Sequence, residues 1–524
     1  MIFPMTRVNR CNFVDEDKLL YMQVNQKWGL GFSFESIKEI SEQNLKEAKN
    51  LMNETQNPNL FKRKRDITKY TAHIYHANGI KIDNSHFPQI KAAADDGLLS
   101  QENAYMEKNK KCQGLDMLDN YIFQKAFEIQ LSVNICKSYP LKMLLPCDLR
   151  SEEAKRDSLK KFHHEQRLPG LTYIYPKEAG ADYDPSKEKD SDLSKVKVGF
   201  ASSLWRCSQP KSGGFFGSVN KVDVWMVDLI GRISFSLEGN KERRPIILDC
   251  RSKSNSWENT WMGEGYYDEK NYKLKELKYG DLGDINTTRY LFEELFKEVN
   301  EQNGKFGALY EWLESLGELI ALGDWVRKQV TRGDSVIVCC DTGIDRTAQV
   351  VSLAKVMMDE RYRTIKGLEQ LIHFDWRCFC HQFDTRRFYG PNPKDSSPIF
   401  IQWLDCMHQL VRETPDRFEY NTKLLVVLAK AYMEDMFLEF AFDNTEQEIE
   451  ERKAIGRSSQ EVKEALSIWT LVYKHPEQFV NASFRAAPNN LQPLDVDACP
   501  LNFELWKEVF TSAFSYNNSR SKLS

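Results

Sequence analysis

The chain has 524 residues, 41% of them hydrophobic and 28% charged, with 72 Lys and Arg against 76 Asp and Glu for a net charge of −4. That length exceeds one ordinary core, so two domains, or one large domain with an appendage, are expected. The charge balance excludes a whole-chain attraction to nucleic acid or an anionic membrane, so any basic patch must be local.

No segment approaches about 18 consecutive apolar residues, and residues 1–13 lack a secretory apolar core. A globular protein that meets any lipid from the water side is expected. Twelve cysteines without paired metal-type spacing imply reduced thiols of a cytosolic chain and no metal centre. There is no internal repeat and no heptad tail.

In chain order, the first 120 or so residues mix strand-like pieces with a polar helical stretch at 36–52. "KLLYMQV" (18–24) reads as a strand, and "YTAHIYHANGIKID" (70–83) as a hairpin turning at Asn78-Gly79. The run Lys62-Arg63-Lys64-Arg65 is either a solvated cluster or a contact for anionic lipid. Apolar density rises from Ile122. "NICKSYPLKMLLP" (134–146) suggests a strand and a turn, and 178–195 a polar, acidic, mobile surface loop. "RRPIILDCRS" holds a short buried strand at 246–249. Long amphipathic helices are expected over most of 290–330, 404–411 and 424–442. Strands separated by helices point to an α/β layered domain.

The chemistry concentrates in "VIVCCDTGIDRTAQVVSLAKVMM" (336–358). A central strand is predicted over 335–339 and a helix over 346–358, with Ala348, Val351, Leu353, Ala354 and Met357 broadly on one face. Between them Cys340-Asp341-Thr342-Gly343-Ile344-Asp345-Arg346 separates a cysteine from an arginine by five residues. A tight loop entering a helix N-terminus turns backbone N–H groups inward, a nest for a tetrahedral anion. Gly343 supplies the positive φ. Arg346 is suited to grip phosphate oxygens bidentately. A thiolate of Cys340 at the loop floor is placed for in-line attack, giving a phosphocysteine. Thr347 is placed to hydrogen-bond that sulfur. Asp345 is the general-acid candidate for the leaving alkoxide. From the residues alone, plainer readings stay open: a buried strand-end cysteine, and an Asp345 that caps the helix or pairs with a neighbour.

Cys-x5-Arg ending in Asp-Arg-Thr resembles two lipid-phosphatase families, the myotubularins and the Sac-type phosphoinositide phosphatases. Further segments decide between them. "DRTAQVVSLAKVMMDERYRTIKGLEQLI", "SPIFIQWLDCMHQL" and "PDRFEYNTKLL" are similar to myotubularin sequence, as are "CKSYP", "WRCSQP" and "DCRSKSNSWENTWMGEGYY" upstream. "SIWTLVYKHPEQFVN" and "FELWKEVF" resemble its closing helices.

The resemblance implies an α/β fold of the cysteine-phosphatase type, a central mixed sheet flanked by helices, over residues 121–515. A smaller N-terminal region, 1–120, has strand pieces compatible with a PH-like GRAM β domain, and 516–524 form a polar tail. It implies hydrolysis of the 3-phosphate of phosphatidylinositol 3-phosphate and phosphatidylinositol 3,5-bisphosphate, with no metal and no cofactor. Cys340 maps to the nucleophile, Arg346 to the phosphate clamp and Asp345 to the acid. The loop residues Asp341, Thr342, Gly343, Ile344 and Thr347 map to substrate binding, as do Asn259, Asn286 and Gln382. The implied partners are a phosphoinositide at a membrane surface, no nucleic acid, and homo- or hetero-oligomers with other myotubularin-like proteins. A cytoplasmic protein peripheral on endosomal or other phosphoinositide-containing membranes is implied.

The departures from the family pattern are specific. The family loop usually reads Cys-Ser-Asp-Gly-Trp-Asp-Arg, so Asp341, Thr342 and Ile344 replace a Ser, an Asp and a Trp. Cys339 stands where a His usually precedes the nucleophile, and adjacent thiols invite oxidation. Gly-His-Lys/Arg-Phe appears as Cys380-His381-Gln382-Phe383, so a basic residue that meets a second phosphate becomes Gln382. Arg377, Arg386 and Arg387 lie near enough in sequence to replace it. These changes motivate a second reading, a weakly active or inactive lipid-binding adaptor. A protein-tyrosine phosphatase shares the thiolate chemistry, but would normally carry His before the Cys and a Gly-Arg pair in place of Asp-Arg.

Overall fold

The computed structural model describes the segments 8–14, 19–24, 28–33, 126–130 and 142–146. It also describes 167–514 with interruptions at 177–199, 211–220, 234–243, 259–264, 302–306, 388–393, 434–436, 445–446, 448–466 and 486–491. The predicted helix at 36–52, the hairpin at 70–83, the basic run 62–65, the loop at 178–195 and Asn259 all lie outside the described residues.

The N-terminal strands β1 (Val8–Val14), β2 (Leu19–Val24) and β3 (Trp28–Ser33) form an antiparallel meander, with Phe13 opposite Leu20 and Leu20 opposite Phe32. The strand expected at 18–24 is β2. β4 (Ala126–Gln130) and β5 (Lys142–Pro146) pair antiparallel. In "NICKSYPLKMLLP" the strand therefore falls at the end of the segment.

The main sheet has the order β6-β7-β10-β8-β9. Its strands are β6 (Gly170–Pro176), β7 (Phe200–Ser208), β8 (Ile246–Asp249), β9 (Glu276–Tyr279) and β10 (Val336–Cys340). β7, β10, β8 and β9 run parallel, and β6 adds an antiparallel strand at one end. The sheet is mixed, as expected. β10 and the Ile246–Leu248 part of β8 read as apolar runs because these strands are buried on both faces.

Among the described residues, the helices that frame the sheet and its site include α1 (Lys221–Ile233), α2 (Ile285–Glu301), α3 (Gly307–Thr331), α4 (Arg346–Met358), α5 (Phe383–Arg386), α6 (Ile399–Glu413) and α7 (Thr422–Met433). The larger core layer joins Val336, Val338 and Cys340 to α3, α4, α6 and α7 through residues such as Trp312, Leu316, Leu353, Trp403 and Leu428. The smaller layer joins Ile337 and Cys339 to Val227 and Ile230 of α1, with Tyr267 and Tyr272. The strict alternation follows the two-residue period of a strand.

Two expectations are corrected. The central strand is shifted by one residue, to 336–340, because pairing with β7 continues to Cys340 opposite Ser208. Ser335 instead holds Ser203 through its hydroxyl, at 2.8 Å. Helix α4 is buried on every side, not on one face. Its polar residues are therefore matched internally: Lys355 Nζ lies 2.7 Å from Asp375 Oδ2, and Gln349 Nε2 donates to Ile399 O at 3.0 Å and to Gln402 Oε1 at 2.9 Å.

Candidate active site

The carboxyl end of β10 delivers Cys340 to the place where ligands gather in parallel sheets. Strand parity separates the two cysteines. Cys339 faces the smaller layer beside Cys207, while Cys340 faces the larger one. Burial pushes the Cys339 thiol far above its ordinary value, so it stays protonated. Cys340 is 1% exposed and lies beneath the loop that follows.

That loop turns at Gly343, φ +75°. A Cβ there would stand 2.8 Å from the carbonyl carbon and oxygen of Cys207 and 2.9 Å from the nitrogen of Ser208, so the close approach to β7 requires glycine. The turn aims the Gly343 N–H at Cys340 Sγ, 3.2 Å away. Its carbonyl accepts from Arg206 Nη2 at 2.8 Å. Arg206, 1% exposed, also donates through Nη1 to Asp375 O and stacks over Phe379 at 4.2 Å. It ties the loop to the π-helical turn Ile372–Cys378.

Arg346 opens α4 with its guanidinium buried. Nη1 donates to Leu282 O at 3.1 Å, and Nη2 pairs with Asp341 Oδ2. Burial works against this charge, but the negative groups around it, Asp341 among them, hold its pKa above the ordinary value. Asp341 Oδ1 lies 3.6 Å from Arg251 Nε. Arg251 is itself fixed by both oxygens of Asp249, at 2.9 and 2.6 Å, and by Gln209 Oε1.

Asp345 makes no side-chain cap bond to α4. Its carboxylate receives Arg386 Nη2 at 2.9 Å and Nε at 3.2 Å, and His381 Nδ1 lies 3.0 Å from Oδ1. Burial pushes the carboxyl upward, yet Arg386 and His381 outweigh it and hold it well below the usual carboxylate range. Asp345 is ionised in this arrangement.

The other expected residues divide. Ile344 is buried in the loop and Thr342 is exposed at its outer edge. The expected bond from Thr347 to the cysteine is not formed: Thr347 Oγ1 is buried without a hydrogen-bond partner, and the loop N–H of Gly343 takes the sulfur instead. Asn286 is exposed in the first turn of α2. Its amide donates to Asp284 Oδ2 at 3.0 Å and accepts from Arg289 at 2.8 Å. Gln382 is half-buried just before α5, where its carbonyl takes the Arg386 N–H at 2.7 Å. Of the arginines considered as replacements for the missing basic residue, Arg386 reaches the site. Arg387 turns into the core, donating to Tyr432 O at 3.0 Å and Phe440 O at 2.6 Å.

Sequence reasoning assigned no role to Arg206, Arg251 or His381. Arg206 and Arg251 carry a usable signal, a charged residue inside or directly after an apolar strand, which needs a buried partner. His381 carried none beyond its place in the 380–383 segment.

A parallel strand ending on cysteine, a glycine-turned loop and a helix opening on arginine make the arrangement expected of a cysteine-phosphatase cradle. Residues 194–449 match the Myotubularin-like phosphatase domain. Over that span the chain is similar to the myotubularin-like phosphatases. It is similar to a Caenorhabditis elegans phosphatidylinositol-3,5-bisphosphate 3-phosphatase, MTMR3, at 26% identity over 422 residues, 79% of this chain and 38% of that protein. A second protein of that name from the same organism, MTMR6, is 26% identical over 72% of this chain and 51% of its own length. Myotubularin of Xenopus laevis is 28% identical over 73% of this chain and 58% of its own. The chain therefore spans between two-fifths and three-fifths of the length of these relatives.

Proposed function

We propose that this chain is a phosphoinositide 3-phosphatase acting on phosphatidylinositol 3-phosphate and phosphatidylinositol 3,5-bisphosphate. The observation that carries the reading is the cradle: Cys340 at the strand end, the Gly343 N–H on its sulfur, and Arg346 at the start of α4. The names of its relatives supply the substrate class.

In the proposed cycle, Cys340 Sγ attacks phosphorus. The S–P bond forms as the bond from phosphorus to the inositol 3-oxygen breaks, and the leaving oxygen takes a proton. Loop N–H groups and Arg346 hold the equatorial oxygens. Water then attacks phosphorus, the S–P bond breaks, and phosphate leaves. Asp345, ionised but held by Arg386 and His381, becomes basic enough to take the proton from that water only once Arg386 lets it go. To serve as acid in the first half it must be released by Arg386, which an incoming anion attracts. Thr342, Ile344 and Gln382 are assigned to contacts with the inositol headgroup, and the resemblance adds Asn259 and Asn286 as further contacts.

The phosphatase unit is assigned to 121–515, and the N-terminal region 1–120, with the β1–β3 meander, to a PH/GRAM-like lipid-contact domain. No helix among the described residues is long and apolar enough to cross a membrane. Peripheral attachment to endosomal or related membranes, and assembly with itself or other myotubularin-like chains, complete the reading.

The test is phosphate release by the full chain from a panel of short-chain phosphoinositides, with Cys340→Ser alongside. Release confined to 3-phosphorylated lipids and abolished by the substitution supports the enzyme, whereas full activity in Cys340→Ser refutes the mechanism. A second reading, a lipid-binding adaptor with weak or no turnover, is favoured by one observation, the Asp341–Arg346 pair. It predicts lipid binding without release.

A further inference from the structure

We propose that Asp341 is a resident anion of the phosphate cradle, an autoinhibitory carboxylate that a phosphate monoester must displace from Arg346 before it is held. The proposal rests on reading this loop as a phosphate site.

Arg346 offers few ways to bind an incoming anion. It is 5% exposed, one end of its guanidinium is spent on the Leu282 carbonyl, and the other faces Asp341 Oδ2. The second carboxylate oxygen lies 3.6 Å from Arg251 Nε. Asp341 is therefore flanked by two buried guanidinium groups, as two oxygens of a bound phosphate would be.

Arg251 has little freedom to follow a ligand, because Asp249 holds its Nε and Nη2 and Gln209 its Nη1. Arg346 has no other counter-ion within ion-pair distance among the described residues. The exchange is thus one carboxylate for one phosphate on one arginine.

Asp341 is also the member of this pair able to leave. Its side chain is 40% exposed, whereas Gly343 to Thr347 are buried. Rotation of the carboxylate into water costs a charge-assisted hydrogen bond that is only half-shielded. A dianionic phosphate regains it and adds the loop N–H groups. A neutral side chain at this position would have no charge with which to compete. Asp341 thus sets the affinity of the cradle for any phosphate monoester, independently of the lipid attached to it.

The experiment measures binding of inorganic phosphate to the full chain by calorimetry, in Cys340→Ser with Asp341 intact and with Asp341→Asn or Asp341→Ser added. Both neutral variants are expected to tighten phosphate about tenfold, the worth of one charged hydrogen bond. Asp341→Glu retains the charge and is expected to show no such gain. Unchanged or weaker phosphate binding in both neutral variants, with unfolding midpoints matching the parent, overturns the proposal. So does tightening in only one of the two, or phosphate binding by none of the proteins.

Lipid turnover is measured separately, on the same substitutions with Cys340 restored. Turnover with unchanged phosphate affinity refutes the resident-anion role and leaves the enzyme standing. Tightened phosphate with no turnover on any lipid does the reverse.

Discussion

Gly343→Ala is the substitution whose consequences the structure fixes most fully. At φ +75° an alanine pays the left-handed penalty of about 1–2 kcal/mol. Its Cβ then meets three backbone atoms at 2.8–2.9 Å, all in the last residues of β7, a strand held between β6 and β10. Backbone in a central strand does not yield as a flexible side chain does, and overpacking of this kind adds about 1–3 kcal/mol. The total is a loss of about 2–5 kcal/mol, measurable as a lower midpoint in urea unfolding of the full chain. Relief of the clash requires the turn to open, which moves the Gly343 N–H off Cys340 Sγ and the carbonyl off Arg206. Phosphate release should then fall by roughly a hundredfold to a thousandfold, the usual result of losing one preorganised donor. A variant with an unchanged midpoint and activity within about twofold of the parent would show that the turn is not needed in this form.

Two further outcomes test the buried charges. Asp345→Asn leaves Arg386, whose side chain is 9% exposed, without its carboxylate, and should cost about 3 kcal/mol at neutral pH. The pKa of Asp345 is depressed by folding, so its stabilisation is complete above the unfolded value of about 4 and fades only in stronger acid. Urea midpoints of parent and variant should stay apart from about pH 8 to pH 5 and converge below about pH 4; a gap that widens in acid contradicts the assignment. Asp405 is the opposite case. Burial raises it to about 7, against hydrogen bonds from Trp312 and Gln409. The folded state therefore holds a proton that the unfolded state has released between about pH 4 and pH 7, and stability should rise as pH falls through that window, by about 1 kcal/mol per unit. Asp405→Asn should remove that slope, and an equal slope in both proteins would sink the argument.

The strand–loop–helix unit was legible because three local signals coincide: a β-branched run, a glycine that needs positive φ, and a helix whose start is marked by polarity. The strand at 246–249 was legible for the first of these reasons alone. What the sequence hid is the pairing of charges distant in sequence. Nothing near Asp345 announces Arg386, 41 residues away, or the ionised state that results. The same holds for Arg206, whose two acceptors lie 137 and 169 residues downstream. The apolar spacing places Ala348, Val351, Leu353, Ala354 and Met357 on one face of the helix at 346–358, yet Lys355, Gln349 and Ser352 are buried too. Their partners come from β6, the π-helical turn and α6, and only the assembled layers reveal that face as interior. Asn286 was placed by resemblance, while its own neighbours, Asp284 and Arg289, fit the plainer reading of a helix start.

The paired cysteines at the end of β10 show how little of the proposed chemistry belongs to the amino acid itself. Cys339 and Cys340 are the same side chain on consecutive residues, differing by a half-turn of backbone. One is sealed into an apolar layer as an inert filler, and the other meets the loop. A slip of one residue in the pairing of β10 with β7 and β8 would exchange them. The composition would be unchanged and the cradle would hold the wrong sulfur, one without the Gly343 N–H and one residue nearer in sequence to Val338. The hydrogen-bond ladder of the central sheet is therefore also a proofreading device: it decides which of two identical thiols meets the Gly343 loop.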